Sequence, residues 1–118
     1  MKYQIGDIVW VTNLEEFNKV NNHLFIVISD DGQVIPADYF GFVLSSNLAK
    51  SKNVSSFKYN EPINRNNTNN LKTDSIVKCD QLYDIPINSI NYKIGRAEAD
   101  EMNRFLVSYN EFLEEVES

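Results

Sequence analysis

Short apolar segments separated by polar turns make up most of the chain, a pattern typical of β-strands. Residues 24–29 contain the apolar run LFIVI, which is too short for a helix and indicates a buried central strand. An Asp-Gly turn at 31–32 follows it and favours a hairpin. Residues 75–80 alternate with a period of two, as a further strand should. Other short strands are predicted at 3–11, 39–45, 55–59 and 87–90, about six or seven in all.

Two polar stretches interrupt this pattern. Residues 13–22 predict a long loop that could contain one helical turn, and residues 46–52 could form another such turn. Residues 60–70 hold six asparagines. Because this composition has little apolar surface to bury, residues 60–73 predict an exposed loop that does not order itself.

The last part of the chain has helical periodicity. Between residues 98 and 116 the apolar side chains recur at spacings of three and one, which places them on one face of a helix. These positions are Met102, Phe105, Leu106, Tyr109, Phe112, Leu113 and Val116. We therefore predict a helix over about 97–116. Strands without βαβ alternation, followed by one helix, predict a mainly β fold: a small antiparallel SH3-like barrel with the helix packed on it, in a single domain spanning 1–118.

The charge distribution limits what the protein could bind. The net charge is −6, which at first argues against a nucleic-acid partner. Residues 1–93 carry nine Lys/Arg and ten Asp/Glu, whereas residues 94–118 carry two and seven, so the acidity is concentrated in the predicted helix. The nearly neutral remainder could present a local basic groove, with few phosphate contacts and a shallow salt dependence. The acidic end could equally be a solvated helix face.

Several classes of protein are excluded by what the chain lacks. Cys79 is the single cysteine, so an intrachain disulfide and a thiolate metal cluster are excluded, and a buried inert thiol is expected. One histidine and four glycines leave no metal motif and no phosphate-binding glycine loop, so no cofactor and no metal are predicted. No apolar run approaches a membrane span, and residues 1–7 lack a signal sequence. We expect a cytoplasmic protein with no membrane partner.

Residues 74–95, DSIVKCDQLYDIPINSINYKIG, resemble the second half of the MazF/PemK-like toxins (the Kid and CcdB-like barrel) of bacterial toxin–antitoxin pairs. GDIVW at 6–10 and HLFIVIS at 23–29 match the opening pattern of that family in the same order. The resemblance implies an SH3-like barrel, a homodimer with a groove across its two-fold axis, and a small antitoxin as partner. It also implies metal-independent cleavage of single-stranded RNA, with a role in plasmid maintenance or stress response.

The resemblance also points to site residues. Members that cut RNA place an Arg just before the second strand and a Thr or Ser at the end of the third. Here the matching positions are His23 and Ser45, and Leu24 replaces the customary Pro. A further Arg of many members is Tyr83 here. Histidine is a competent acid–base group, but a lost guanidinium weakens phosphate binding. The resemblance implies that His23 is the acid–base residue and Ser45 a polar stabiliser.

The remaining candidates for RNA contact are a hydroxyl, two aromatic rings and several cations: Ser46, Phe17, Tyr83, Lys58, Arg65, Lys72 and Lys78. Each has a structural interpretation as well, since strand aromatics are often core residues, strand-end imidazoles and hydroxyls satisfy local backbone groups, and surface lysines are often only solvated. Two other functions stay open. One is inhibition of a protein target such as DNA gyrase through the terminal helix, as in CcdB-like members. The other is binding of RNA or a partner without cleavage.

Overall fold

The computed structural model describes residues 2–12, 14, 22–46 and 58–117. Across these ranges the chain forms six strands, a short 3-10 helix and one long α-helix. In chain order they are β1 (Asp7–Val11), β2 (His23–Asp30), β3 (Asp38–Ser45), β4 (Asn60–Ile63), β5 (Ser75–Pro86), the 3-10 helix (Ile87–Ser89), β6 (Ile90–Arg96) and α1 (Ala99–Glu117). The predicted mainly β fold with a C-terminal helix is confirmed.

The six strands form one sheet in the order β4-β5-β3-β2-β1-β6, and every neighbouring pair is antiparallel. In the part of the chain that the structure describes, β4 and β6 are the two edges, so the strands do not form a closed ring. The loop of residues 64–74 connects the edges instead. It leaves β4 and reaches β6, where Asn70 Nδ2 donates to the Ile94 carbonyl at 2.7 Å and the Arg96 N–H donates to the Thr68 carbonyl at 3.1 Å.

The prediction of an exposed loop over residues 60–73 is right for most of residues 64–73, but wrong for residues 60–63 and in expecting a segment that does not order itself. Residues 60–63 are the edge strand β4, and Asn69 is fully buried. Asn69 Oδ1 accepts from the backbone N–H groups of Asn66 and Leu71 at 3.0 Å, and its Nδ2 donates to the Asn64 carbonyl at 2.9 Å. Asparagine amides here replace the partners that a strand would supply, and the side chain of Leu71 is buried in the core, so the loop is ordered largely by polar side chains.

Gly95 allows this loop to lie against β6. A Cβ atom at Gly95 would meet the carbonyl oxygens of Asn69 and Thr68 at 2.5 and 2.6 Å, distances that real Cβ atoms essentially never show. Only glycine therefore permits the backbone of the loop to approach β6 this closely.

Buried clusters lie on both faces of the sheet. A register shift within β5 changes which face its side chains point to. Between Phe42 and Leu44 on β3 the partner on β5 moves from Leu82 to Val77, five residues along instead of two. Side chains alternate between the two faces along a strand. Because the partner on β5 moves by an odd number of residues, side chains before and after the shift follow opposite alternations. Val77 consequently belongs to the cluster beneath the helix, whereas Ile85 belongs to the cluster on the other face. The strand predicted at 75–80 continues through this irregularity to Pro86.

The helix packs on the sheet through the first part of its predicted apolar face. Met102 and Phe105 are buried in the cluster with Val77, and the Tyr109 ring meets Phe42 edge-on with centroids 5.3 Å apart. Val116, at the far end, is 59% exposed. The helix is thus held by its N-terminal half, and its acidic last turn extends into solvent.

Several predicted boundaries differ from the observed ones. β1 begins at Asp7 rather than residue 3, after a turn in which Gly6 has a φ of 96°. Residues 34 and 35 form an exposed bend, and residues 87–89, predicted as part of a strand, form the 3-10 helix. Lys58 and Tyr59 form a turn, not a strand. Residues 55–57 of that predicted strand, most of the 13–22 loop with Phe17, and most of the predicted turn at 46–52 lie outside the described residues.

Candidate functional site

A cleft of about 550 Å³ opens where β2 begins and β3 ends, beside β6 and the loop of residues 64–74. His23 and Ser45 both line it, and so does Ser46. The other lining residues are Trp10, Asn22, Leu24, Leu44, Asn70, Leu71, Lys72, Thr73, Ser75, Tyr92 and Ile94. The two residues that the sequence pointed to as catalytic candidates therefore share one concavity with the polar loop.

Strand pairing explains why His23 and Ser45 lie close together. β2 and β3 run antiparallel, with Phe25 opposite Val43, and the same register continued by two residues places His23 opposite Ser45. His23 also pairs with Val11 on β1, so its backbone is held from the other side as well. Two positions far apart in sequence thus become neighbours at the same end of the sheet.

The surroundings of His23 favour its neutral form. Burial lowers the pKa of the imidazole from its ordinary value of 6.5, and the positive charge of Lys78 lowers it further. Lys78 lies on β5 and is not among the residues that line the cleft, but its charge acts on the imidazole within it. At neutral pH the ring is a proton acceptor rather than a cation.

The cleft differs in charge from the rest of the molecule. Among the described residues that line it there is no Asp or Glu, and Lys72 supplies a positive charge. The whole chain, by contrast, has a net charge of −6. An anionic ligand would meet one positive side chain and no carboxylate among the lining residues, although Asp74 lies between the lining residues Thr73 and Ser75 in the chain.

Two acidic regions lie away from the cleft. One cluster surrounds the β2–β3 hairpin, where backbone N–H groups of Gln33, Ala37 and Asp38 lower the pKa of Asp31. Burial and then the charge of Asp38 raise the pKa of nearby Asp84. The other acidic region is the end of α1, where Glu115 forms an ion pair with Lys58. Both regions are distinct from the residues lining the cleft.

The other predicted RNA contacts are not all brought to the cleft. Ser46 lines it, whereas Lys58 contacts Glu115 at the helix end. Tyr83 packs edge-on against Phe25 with centroids 5.5 Å apart and donates from its hydroxyl to Gln81 Oε1 at 3.3 Å. Tyr83 is therefore partly a core residue, in line with the structural interpretation of strand aromatics.

The structure adds residues that sequence reasoning missed. Trp10 and Tyr92 line the cleft, and they are register partners across β1 and β6. Asn70 and Thr73 enter it from the loop that the composition predicted to be unordered. No local signal would have found these residues, because the pairing of β1 with β6 joins segments far apart in sequence.

The described residues offer no evident place for a metal ion, since no three His, Cys, Asp or Glu side chains among them come together as ligands. Cys79 is fully buried, with its Sγ 3.6 Å from the Val77 carbonyl. In the described ranges no helix has both the length and the apolar character needed to cross a bilayer.

Comparison with solved structures gives the fold independent support. The Mycobacterium tuberculosis toxin MazF-mt6 matches with a TM-score of 0.65 and 13% identity over 90% of this chain and 95% of that one. An endoribonuclease in complex with its cognate antitoxin, from a mycobacterial species, matches with a TM-score of 0.70 and 12% identity over 95% of each chain. Identities this low show a shared fold alone. Comparison with curated protein sequences gave no match.

A family model provides the sequence relationship that the structural matches do not. The model of the PemK-like, MazF-like toxins of type II toxin–antitoxin systems matches residues 4–108, which include all six strands and the buried part of α1. The family resemblance predicted from the motifs is confirmed. This chain belongs to the PemK-like, MazF-like toxins of type II toxin–antitoxin systems.

Proposed function

We propose that this toxin is a metal-independent endoribonuclease that cleaves single-stranded RNA. The observation that carries the proposal is the cleft in which His23 and Ser45 lie together, lined by no carboxylate among the described residues. The printed descriptions of two structural neighbours as endoribonucleases agree with it. Cleavage by the RNA's own 2′-hydroxyl requires only a proton acceptor, a proton donor and stabilisation of charge, all of which this cleft could provide.

In the proposed reaction His23 is the acid–base residue. Its neutral imidazole accepts the proton of the 2′-hydroxyl as the bond from the 2′-oxygen to phosphorus forms. The imidazolium then donates that proton to the 5′-oxygen as the bond from phosphorus to the 5′-oxygen breaks. The products are a 2′,3′-cyclic phosphate and a 5′-hydroxyl. The Ser45 hydroxyl donates a hydrogen bond to a non-bridging phosphate oxygen, where negative charge increases in the transition state.

Lysine side chains would take over part of the role of the missing arginines. Lys72 lines the cleft, and the charge of Lys78 acts on His23 within it. An ammonium group stabilises a phosphate as a point charge, without the paired hydrogen bonds of a guanidinium. We therefore expect cleavage with modest phosphate affinity.

The assembly and location of the protein follow from family membership as proposals. We infer a homodimer in the cytoplasm and neutralisation by a small antitoxin, as in the neighbour that was solved with its cognate antitoxin. Size-exclusion chromatography with light scattering would test the dimer. Co-expression with the product of the adjacent reading frame would test the antitoxin.

The activity is tested directly with a long single-stranded RNA incubated with purified protein in EDTA, followed by mapping of the fragment ends. Discrete cuts with 5′-hydroxyl ends that persist in EDTA and are lost in His23→Ala would support the proposal. Uncut RNA would contradict it. Uncut RNA together with inhibition of gyrase supercoiling would favour a protein target, and RNA binding without cuts would favour a non-catalytic member.

A further inference from the structure

Two aromatic residues on neighbouring strands line the cleft. Trp10 on β1 is the register partner of Tyr92 on β6, and both side chains line the concavity. Tyr92 is 54% exposed, whereas Phe25, Tyr39 and Phe42 on the same sheet are fully buried. Because directly paired residues on antiparallel strands have neighbouring Cβ atoms, these two aromatic residues lie side by side on the cleft wall.

The rest of the cleft complements this surface. Leu24 and Ile94 extend it with apolar side chains, whereas Asn70, Lys72 and Thr73 supply polar groups and one positive charge from the loop. Aromatic surface beside a cationic, carboxylate-free wall matches the two parts of a single nucleotide, whose base stacks on rings while its phosphate attracts cations. Double-stranded nucleic acid has no free base face to offer, so the pattern selects an unpaired base.

We propose that Trp10 and Tyr92 form a stacking subsite for an unpaired base of the RNA strand whose phosphodiester lies at His23 and Ser45. The inference rests on the proposed function for the identity of the strand, and it assigns the stacking role to two residues that the sequence did not single out as site residues. Tyr83, which packs on Phe25, does not share in this role. The subsite binds and positions the strand and takes no part in proton transfer.

The composition of the chain provides a direct probe. Trp10 is the single tryptophan, so intrinsic tryptophan fluorescence reports on this cleft alone. The ligands are 2′-O-methyl octanucleotides of uniform U or uniform A, which cannot be cleaved because they lack a free 2′-hydroxyl. An abasic strand of the same length carries the same phosphates without bases. Stacking predicts fluorescence quenching by the two base-bearing strands and little quenching by the abasic one.

Substitutions at Tyr92 separate the ring from its size and its hydroxyl. Tyr92→Ala and Tyr92→Leu should weaken octanucleotide binding by about five- to 150-fold, the range expected for one base–aromatic stack. Tyr92→Phe keeps the ring and should bind within about twofold of the unmodified protein. Val107→Ala, an exposed apolar position on α1, is the control away from the cleft and should change nothing. Circular dichroism melting curves establish that each variant is folded.

The outcomes distinguish this inference from the proposed function. Equal quenching by the abasic strand, or unchanged binding in Tyr92→Ala, would overturn the stacking subsite even if RNA is cut normally. Base-dependent quenching that is lost in Tyr92→Ala would support the subsite even if no RNA is cut. In that second case only the proposed cleavage activity would be contradicted.

Discussion

His23 and Ser45 lie at the same end of the sheet because one begins β2 and the other ends β3, and these strands pair antiparallel with Phe25 opposite Val43. Their shared position in the cleft is thus a property of strand register. A shift of one residue in that register would turn one of the two side chains to the opposite face. The candidate acid–base group and the candidate hydroxyl are therefore held by the same hydrogen bonds that hold the core.

Removal of the imidazole should abolish most of the proposed activity. We expect His23→Ala to lower the cleavage rate by about 100- to 10,000-fold, the usual contribution of a general acid–base group. His23→Gln, which retains hydrogen bonding but cannot accept a proton at neutral pH, should be equally inactive. Initial rates on a fluorogenic RNA measure both variants. A His23→Gln variant with near-normal activity would exclude a proton-transfer role for this residue.

The pH dependence of cleavage should reflect the lowered pKa of His23. Since burial and Lys78 lower this pKa below 6.5, the rate should stay high below pH 6.5 and fall only as pH drops through the lowered value. Lys78→Gln removes the like charge and should move this acidic limb upward. Because His23 is the single histidine, NMR titration of its ring gives the same pKa independently. A limb above pH 6.5 would contradict the structure.

The same shift affects folding stability. A histidine whose pKa is lower in the folded than in the unfolded state binds more protons when unfolded. Its contribution is fully present above pH 6.5 and declines as pH falls toward the folded pKa. In His23→Gln we therefore expect a flatter dependence of the free energy of unfolding on pH in this window. Urea titrations at several pH values measure it, and an unchanged slope would contradict the assignment.

Two lysines provide a matched test of where RNA phosphates bind. Lys72 lines the cleft, whereas Lys58 forms an ion pair with Glu115 at the end of α1. Lys72→Ala should weaken binding of an uncleavable RNA analogue and reduce the slope of log K against log salt by about one. Lys58→Ala should leave the slope unchanged. Fluorescence anisotropy at increasing salt measures both, and the reverse pattern would place the RNA near the helix end.

The ordered asparagine loop should depend on one buried amide. Asn69 is fully buried and its side chain makes three hydrogen bonds to backbone groups. Asn69→Ala leaves these groups without partners and should lower the free energy of unfolding by about 2–4 kcal/mol. Asn67→Ala, an exposed position in the same loop, is the control and should change it by less than about 0.5 kcal/mol. Equal losses in the two variants would contradict this account.

Loss of Asn69 should also affect the cleft, since the loop delivers Asn70 and Lys72 to it. We expect weaker RNA binding in Asn69→Ala even under conditions where the variant remains folded.

Local pattern in the sequence determined the elements and the family. The apolar run at 24–29, the alternation at 75–80 and the helical spacing after residue 98 depend only on neighbours along the chain, and each gave an element of the predicted type. The motifs at 6–10, 23–29 and 74–95 indicated the family for the same reason, because they record short stretches of strand and turn. His23 and Ser45 came from this family alignment.

Tertiary structure alone decided what surrounds these residues. The aromatic pair depends on β1 lying beside β6, and strand order cannot be computed from local periodicity. Composition failed for residues 60–73 because it counts apolar surface, whereas Asn69 is held by hydrogen bonds that exist only once the chain has turned back on itself. The absence of acidic side chains among the described residues of the cleft wall is likewise invisible in a net charge of −6. The spatial arrangement of charged and aromatic side chains results from tertiary packing, and local sequence patterns do not predict it.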